Sequence, residues 1–161
     1  MTPLLRLYDF TIIALAGLAG AAIFALAFAI TADVVLRNMG ITNFPWLLEV
    51  TEYVLFGATF LASPWVLKKG AHVRVDIVVS NLSATGRRML EFAADALGLA
   101  VSGCLGFYAL RVGLESYGRG DLLFKEIVIP EWPFFALVAF ASLLLCVEFI
   151  CRMVAKPEGS A

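Results

Sequence analysis

Two carboxylates three residues apart, Glu49 and Glu52, stand just after Trp46, where an apolar stretch begins. Acidic groups beside such a run are costly unless paired, hydrated or interfacial, so proton or ion coupling is the first chemistry to weigh. Glu49, Glu52, Thr59 and Ser63 follow one another at spacings of three, seven and four, along one helical face. The plainer reading places both carboxylates in the opening turns of a helix, where its positive end and nearby water stabilise them. Asp33, Asp95 and Arg111 read the same way, as side chains reaching the interface rather than lining a transport path.

His72 is the single histidine. A pH sensor or a ligand is conceivable, but a haem held between helices usually takes two such ligands, which argues against a cytochrome subunit. Beside Lys69, Arg74 and Asp76 it fits better as a residue fixing a loop against a neighbour or against lipid phosphates. Lys68, Lys69, Arg87 and Arg88 are topology determinants, with Lys68, Arg87 and Arg88 also candidates for headgroup contact. Cys104, Cys146 and Cys151 lack a metal-site spacing and read as small buried hydrophobes. The chain has no glycine-rich phosphate loop and no Ser–His–Asp inventory. Neither catalysis nor a cofactor or metal is expected.

These groups are positioned by four apolar stretches, at about residues 10–32, 46–67, 92–112 and 132–151 of a 161-residue chain. A hydrocarbon core of about 30 Å takes about 20 helical residues. Hydrophobic residues make up 61% and charged residues 16%, against about 25% charged in soluble domains. The expected fold is an all-α integral membrane protein: one four-helix domain over residues 1–161, with short interfacial helices. A basic stripe is missing, so nucleic acid is not an expected partner. Ala27-Phe28-Ala29 imitates a signal cleavage site, but the apolar run is about twice the usual core length, so the first span is expected to stay.

The first span repeats small residues every four positions, Gly17, Ala21, Ala25 and Ala29, ending at Asp33. Such a stripe lets helices approach closely, while Leu15, Leu18, Phe24, Leu26 and Ile30 point elsewhere. Pro64 removes a backbone hydrogen bond late in the second span. Between Lys68 and Arg88 the pattern fits either a strand or a helix face, and a short interfacial helix after Asp76 is preferred. Glu91, Asp95, Gly98, Ser102 and Gly106 share one face of the third span, and Glu115 is spaced to pair with Arg119. Trp46 and Trp132 open the second and fourth spans as interfacial anchors. With a cytoplasmic N-terminus, that side carries eight basic residues (Arg6, Lys68, Lys69, Arg74, Arg87, Arg88, Arg152, Lys156). The other side carries four (Arg37, Arg111, Arg119, Lys125). The positive-inside rule therefore puts both termini in the cytoplasm.

One segment is more than membrane grammar. It runs Trp46-Leu47-Leu48-Glu49-Val50-Thr51-Glu52-Tyr53, then Gly57 to Pro64, then Lys68-Lys69-Gly70-Ala71-His72-Val73-Arg74-Val75-Asp76, with Ile129-Pro130-Glu131-Trp132 before the last span. It resembles the small membrane subunit of tripartite ATP-independent periplasmic (TRAP) transporters, the DctQ-like family. The resemblance covers nearly all the chain. It implies a non-catalytic scaffold in a bacterial inner membrane, beside a large permease subunit and a periplasmic substrate-binding protein, with membrane lipids around it. In that family the large subunit carries substrate and sodium ions by an elevator-like motion, and the solute is often a carboxylate. Glu49, Glu52, Lys69, His72, Arg74, Asp76, Trp46 and Trp132 then become candidates for ordering the subunit boundary. The alternatives are a self-sufficient proton-coupled exporter of four-helix protomers, or a membrane anchor of another complex. An exporter would need a carboxylate well inside a span, whereas the first span is uncharged between Asp9 and Asp33.

Overall fold

The computed structural model describes residues 3–41, 44–69 and 84–154. Four helices account for almost all of these: α1 (Pro3–Asn38), α2 (Trp46–Lys68), α3 (Ala84–Arg119) and α4 (Trp132–Val154). All four are long and apolar enough to cross a membrane. The protein is an all-α, four-span membrane protein, as the sequence implied. The helices overrun the apolar stretches: α1 and α3 each have 36 residues, about 54 Å of helix, so their ends project beyond a hydrocarbon slab. The expected interfacial helix after Asp76 lies outside the described residues.

Packing follows a row rather than a closed bundle. The extensive contacts join α1 to α2, α2 to α4, and α4 to α3. On α1 the face laid against its neighbours is Ile12, Ala19 and Leu26, and the half-buried Asp33 continues that spacing of seven. A seven-residue seam is the pattern of left-handed helix packing. The four-residue stripe behaves otherwise: Gly17, Ala21, Ala25 and Ala29 are all exposed, and nothing lies within 4 Å of a Cβ built on Gly17. Leu26, off that stripe, is 7% exposed and belongs to the packed face.

The tightest seam lies between α3 and α4. Asp95, Ser102, Ala109 and Ser116 recur every seven residues and are buried. Glycines between them admit α4 side chains in antiparallel register. Gly98 lies under the Phe149 ring, and Cβ atoms built on Gly106 and Gly113 would come 3.0 Å from those of Ser142 and Phe135. Close approach compensates for the missing hydrophobic drive between helices in lipid. Pro64 is buried within α2, which continues through it. Between α3 and α4 the chain makes a small hairpin that periodicity did not reveal: Leu122–Leu123 pairs antiparallel with Ile129–Pro130. Gly120, at φ +70°, makes the turn out of α3.

Gly106→Leu should force α3 and α4 apart and cost about 1–3 kcal/mol. Gly103→Leu, on a face with nothing within 4 Å, should leave the fold intact. Comparing thermal unfolding of the two variants in detergent checks this.

Candidate functional site

The charged groups of this fold gather at two levels, one at each end of the helices. At the first, α2 and α4 both begin, opened by Trp46 and Trp132. Trp46 meets Phe44 edge-on at 5.9 Å, and Trp132 meets Tyr117 at 5.6 Å. Glu49 is 8% exposed, and its two oxygens accept the backbone N–H groups of Glu126 (2.6 Å) and Ile127 (2.9 Å). A carboxylate bound by two backbone donors is a strong, charge-assisted anchor, here fastening the α3–α4 hairpin to α2. Glu52, one turn on and more exposed, pairs with Lys125 at 2.6 Å. The Lys125 ammonium also lies 5.7 Å from the centre of the Tyr53 ring. The bond to Glu52 holds the lysine's pKa above its usual value. Glu49 and Glu52 share one target, a loop of their own chain. Nearby, Asp33 accepts the Phe44 N–H at 3.1 Å and reaches Arg37 at 3.9 Å.

The second level joins all four helices. Asp9 of α1 pairs with Lys68 of α2. The Tyr8 hydroxyl lies 3.2 Å from the Leu144 carbonyl and 3.1 Å from Glu148, a carboxylate only 5% exposed. Arg152 of α4 pairs with Asp95 of α3 at 3.3 Å and donates to the Leu67 carbonyl, at 3.5 Å, near the end of α2. Asp95 to Glu115 spans twenty residues and Glu49 to Lys68 nineteen, about 30 Å and 28 Å of helix. The two polar levels are therefore one hydrocarbon thickness apart.

Lys68 makes an ion pair within the chain, and Lys69 is exposed where α2 ends, its N–H on the Trp65 carbonyl at 3.0 Å. His72, Arg74 and Asp76 lie outside the described residues. Arg87 and Arg88 fall on the opening turns of α3, and their side chains are likewise not described. Glu115 pairs with Arg111 at 3.2 Å, not with Arg119, which turns to Asp121 at 3.1 Å. Sequence reasoning gave no role to Tyr8 or to the N–H groups at 126 and 127, and counted Lys125 only as a charge. No group of three or more His, Cys, Asp or Glu side chains could hold a metal ion among the described residues. The arrangement ties helices together at both membrane boundaries, and between the two levels α1 carries no charge from Asp9 to Asp33.

The family model described as "Tripartite ATP-independent periplasmic transporters, DctQ component" matches residues 26–157, most of the chain. No curated protein matches it.

Glu49→Ala should leave two backbone donors unsatisfied at a cost of about 1–3 kcal/mol, speeding amide exchange at Glu126 and Ile127 by roughly 10- to 100-fold. Exchange mass spectrometry reads this directly. The Lys125–Glu52 pair behaves differently. Because the lysine's folded pKa is raised, its contribution is complete below the usual lysine value and disappears as pH climbs through the raised one. Loop exchange, corrected for its intrinsic pH dependence, should therefore be steady at neutral pH and rise only in strong alkali. Lys125→Met should remove that alkaline step.

Proposed function

The chain belongs to the DctQ component family of TRAP transporters, and from that premise we propose that it is the stationary scaffold of a sodium-coupled uptake system. As a small membrane subunit it works in a complex with other subunits. Its partners in this reading are a large permease, which moves solute and sodium, and a periplasmic binding protein, which delivers a carboxylate-type solute. The membrane is a bacterial inner membrane, with both termini cytoplasmic by the eight-to-four division of basic residues. Glu49, Glu52 and the hairpin then face the periplasm, and the Tyr8–Arg152 level faces the cytoplasm.

The observation carrying this reading is that both ends of the row of helices are fastened by polar clasps within the chain. Glu49 holds the hairpin at one end, and Asp9–Lys68, Tyr8–Glu148 and Arg152–Asp95 hold the helices at the other. A carrier must shift elements past one another, and these ties oppose such sliding. The exposed faces of α1, with Phe10, Leu18, Phe24 and Phe28, offer an apolar wall to a larger neighbour. Residues Lys69, His72, Arg74 and Asp76, with Trp46 and Trp132, are proposed to order the boundary with that neighbour. Arg87 and Arg88 are proposed to meet lipid phosphates.

In proteoliposomes holding the permease and binding protein, adding this chain should confer sodium-dependent solute uptake, and omitting it should abolish uptake. The purified chain alone should move neither solute nor protons. Proton-coupled efflux by the chain alone would instead establish the exporter alternative.

A further inference from the structure

A cavity of about 290 Å³ opens between α2, α4 and the hairpin, with Glu52, Lys125 and Glu131 beside Tyr53, Phe56 and Phe134. Its polarity is graded along one direction. α2 and α4 both start at this boundary, so Glu52 precedes Phe56 by one turn and Glu131 precedes Phe134 by about one turn. Charge therefore sits at the mouth and aromatic rings line the depth. The rings support one another: Phe134 lies 5.0 Å from Tyr53 and 5.9 Å from Phe56.

The mouth is electrostatically incomplete. Lys125 is matched by Glu52, while the half-buried Glu131 carboxylate has no ion-pair partner among the described residues. Tyr53, in the cavity wall, has a hydroxyl shielded from solvent and without a hydrogen-bond partner. A ligand that completes the mouth must bring a cation with N–H donors for Glu131, an acceptor that the part-exposed Lys125 ammonium can share with Glu52, and an apolar extension toward Phe56.

We propose that this cavity binds one phospholipid with a primary-ammonium headgroup, an ethanolamine phospholipid. The ammonium lies against Glu131 and Glu52, the phosphate oxygens share Lys125 with Glu52, and one acyl chain runs inward past Phe56 and Phe134. The depth agrees with this occupant, because Trp132, directly after Glu131, marks the headgroup level. A cationic side chain from a neighbouring protein would satisfy Glu131 but bring no apolar group for the depth beside Phe56 and Phe134. The site is independent of the transport role, and its readout is lipid capture rather than uptake.

The test uses the complex of this chain with its large subunit in mild detergent, labelled with a photoreactive dioleoylphosphatidylethanolamine and mapped by peptide mass spectrometry. Labelling is expected on residues 121–135 and on the first turns of α2. Unlabelled dioleoylphosphatidylethanolamine should compete, and dioleoylphosphatidylglycerol and dioleoylphosphatidylcholine should compete weakly. Glu131→Gln should lower labelling roughly fivefold, the worth of one boundary ion pair, with unchanged elution and thermal stability of the complex. Absence of label from this cavity would overturn the proposal, as it would if the large subunit filled the space. Equal competition by the three lipids, or unchanged labelling in Glu131→Gln, would overturn it as well.

Discussion

Hydrocarbon has no place for an unpaired charge, and this fold is arranged around that fact. Nearly every ion pair and side-chain clasp between its helices lies at one of two levels, separated by about 30 Å of helix. At one level Glu49 takes two backbone N–H groups and Glu52 takes Lys125. At the other, Asp9, Lys68, Asp95, Arg152, Tyr8 and Glu148 tie four helices together. Between them the helices meet through small and apolar residues, as in the α3–α4 seam where Phe135, Ser142 and Phe149 face glycines. Polar clasps fix the register, and the apolar seams supply contact area without specifying it.

The row α1–α2–α4–α3 leaves much apolar surface uncovered. Phe24, Phe28, Leu97, Phe107 and Leu114 are all well over half exposed or close to it. In water such a surface would mark aggregation or an interface; in a membrane it is ordinary lipid-facing surface, and part of it is available to a companion subunit. Stability against lipid comes from packing and hydrogen bonding rather than from burial. For that reason the small residues of α3 matter more than its leucines.

Much of this architecture was legible in the sequence. The starts of α2 and α4 at Trp46 and Trp132 were placed correctly, because interfacial tryptophans and the ends of apolar runs are local signals. The α3 face through Asp95, Gly98, Ser102 and Gly106 was also read correctly, since only a helix with a close neighbour has reason to line up small residues that way. The same logic misled on α1. There a four-residue stripe and a seven-residue seam coexist, and both include Asp33. A single sequence shows that two faces exist but not which one its own chain covers. The partner of Glu115 was equally undetermined, because Arg111 and Arg119 both stand four residues away. Contacts such as Tyr8 with Glu148 join positions 140 apart, and no periodicity carries that information. The capture of Glu126 and Ile127 by Glu49 was invisible for another reason: the donors are backbone groups, which every residue but proline supplies.

Glu49 therefore deserves a different reading from the one its residue type first invites. A transport carboxylate must exchange partners, binding and releasing a proton or an ion during each cycle. Glu49 instead spends both oxygens on N–H groups that cannot leave, since they belong to the hairpin joining α3 to α4. Releasing them would give up two charge-assisted hydrogen bonds to backbone donors that the fold holds in place, so exchange is opposed by the fold itself. The neighbouring Glu52 is occupied by Lys125, which the same hairpin supplies. A single short loop thus neutralises the two acidic groups that looked most like coupling residues, and converts them into fasteners. For a subunit whose proposed task is to stay still beside a moving neighbour, carboxylates fixed in this way are the chemistry required.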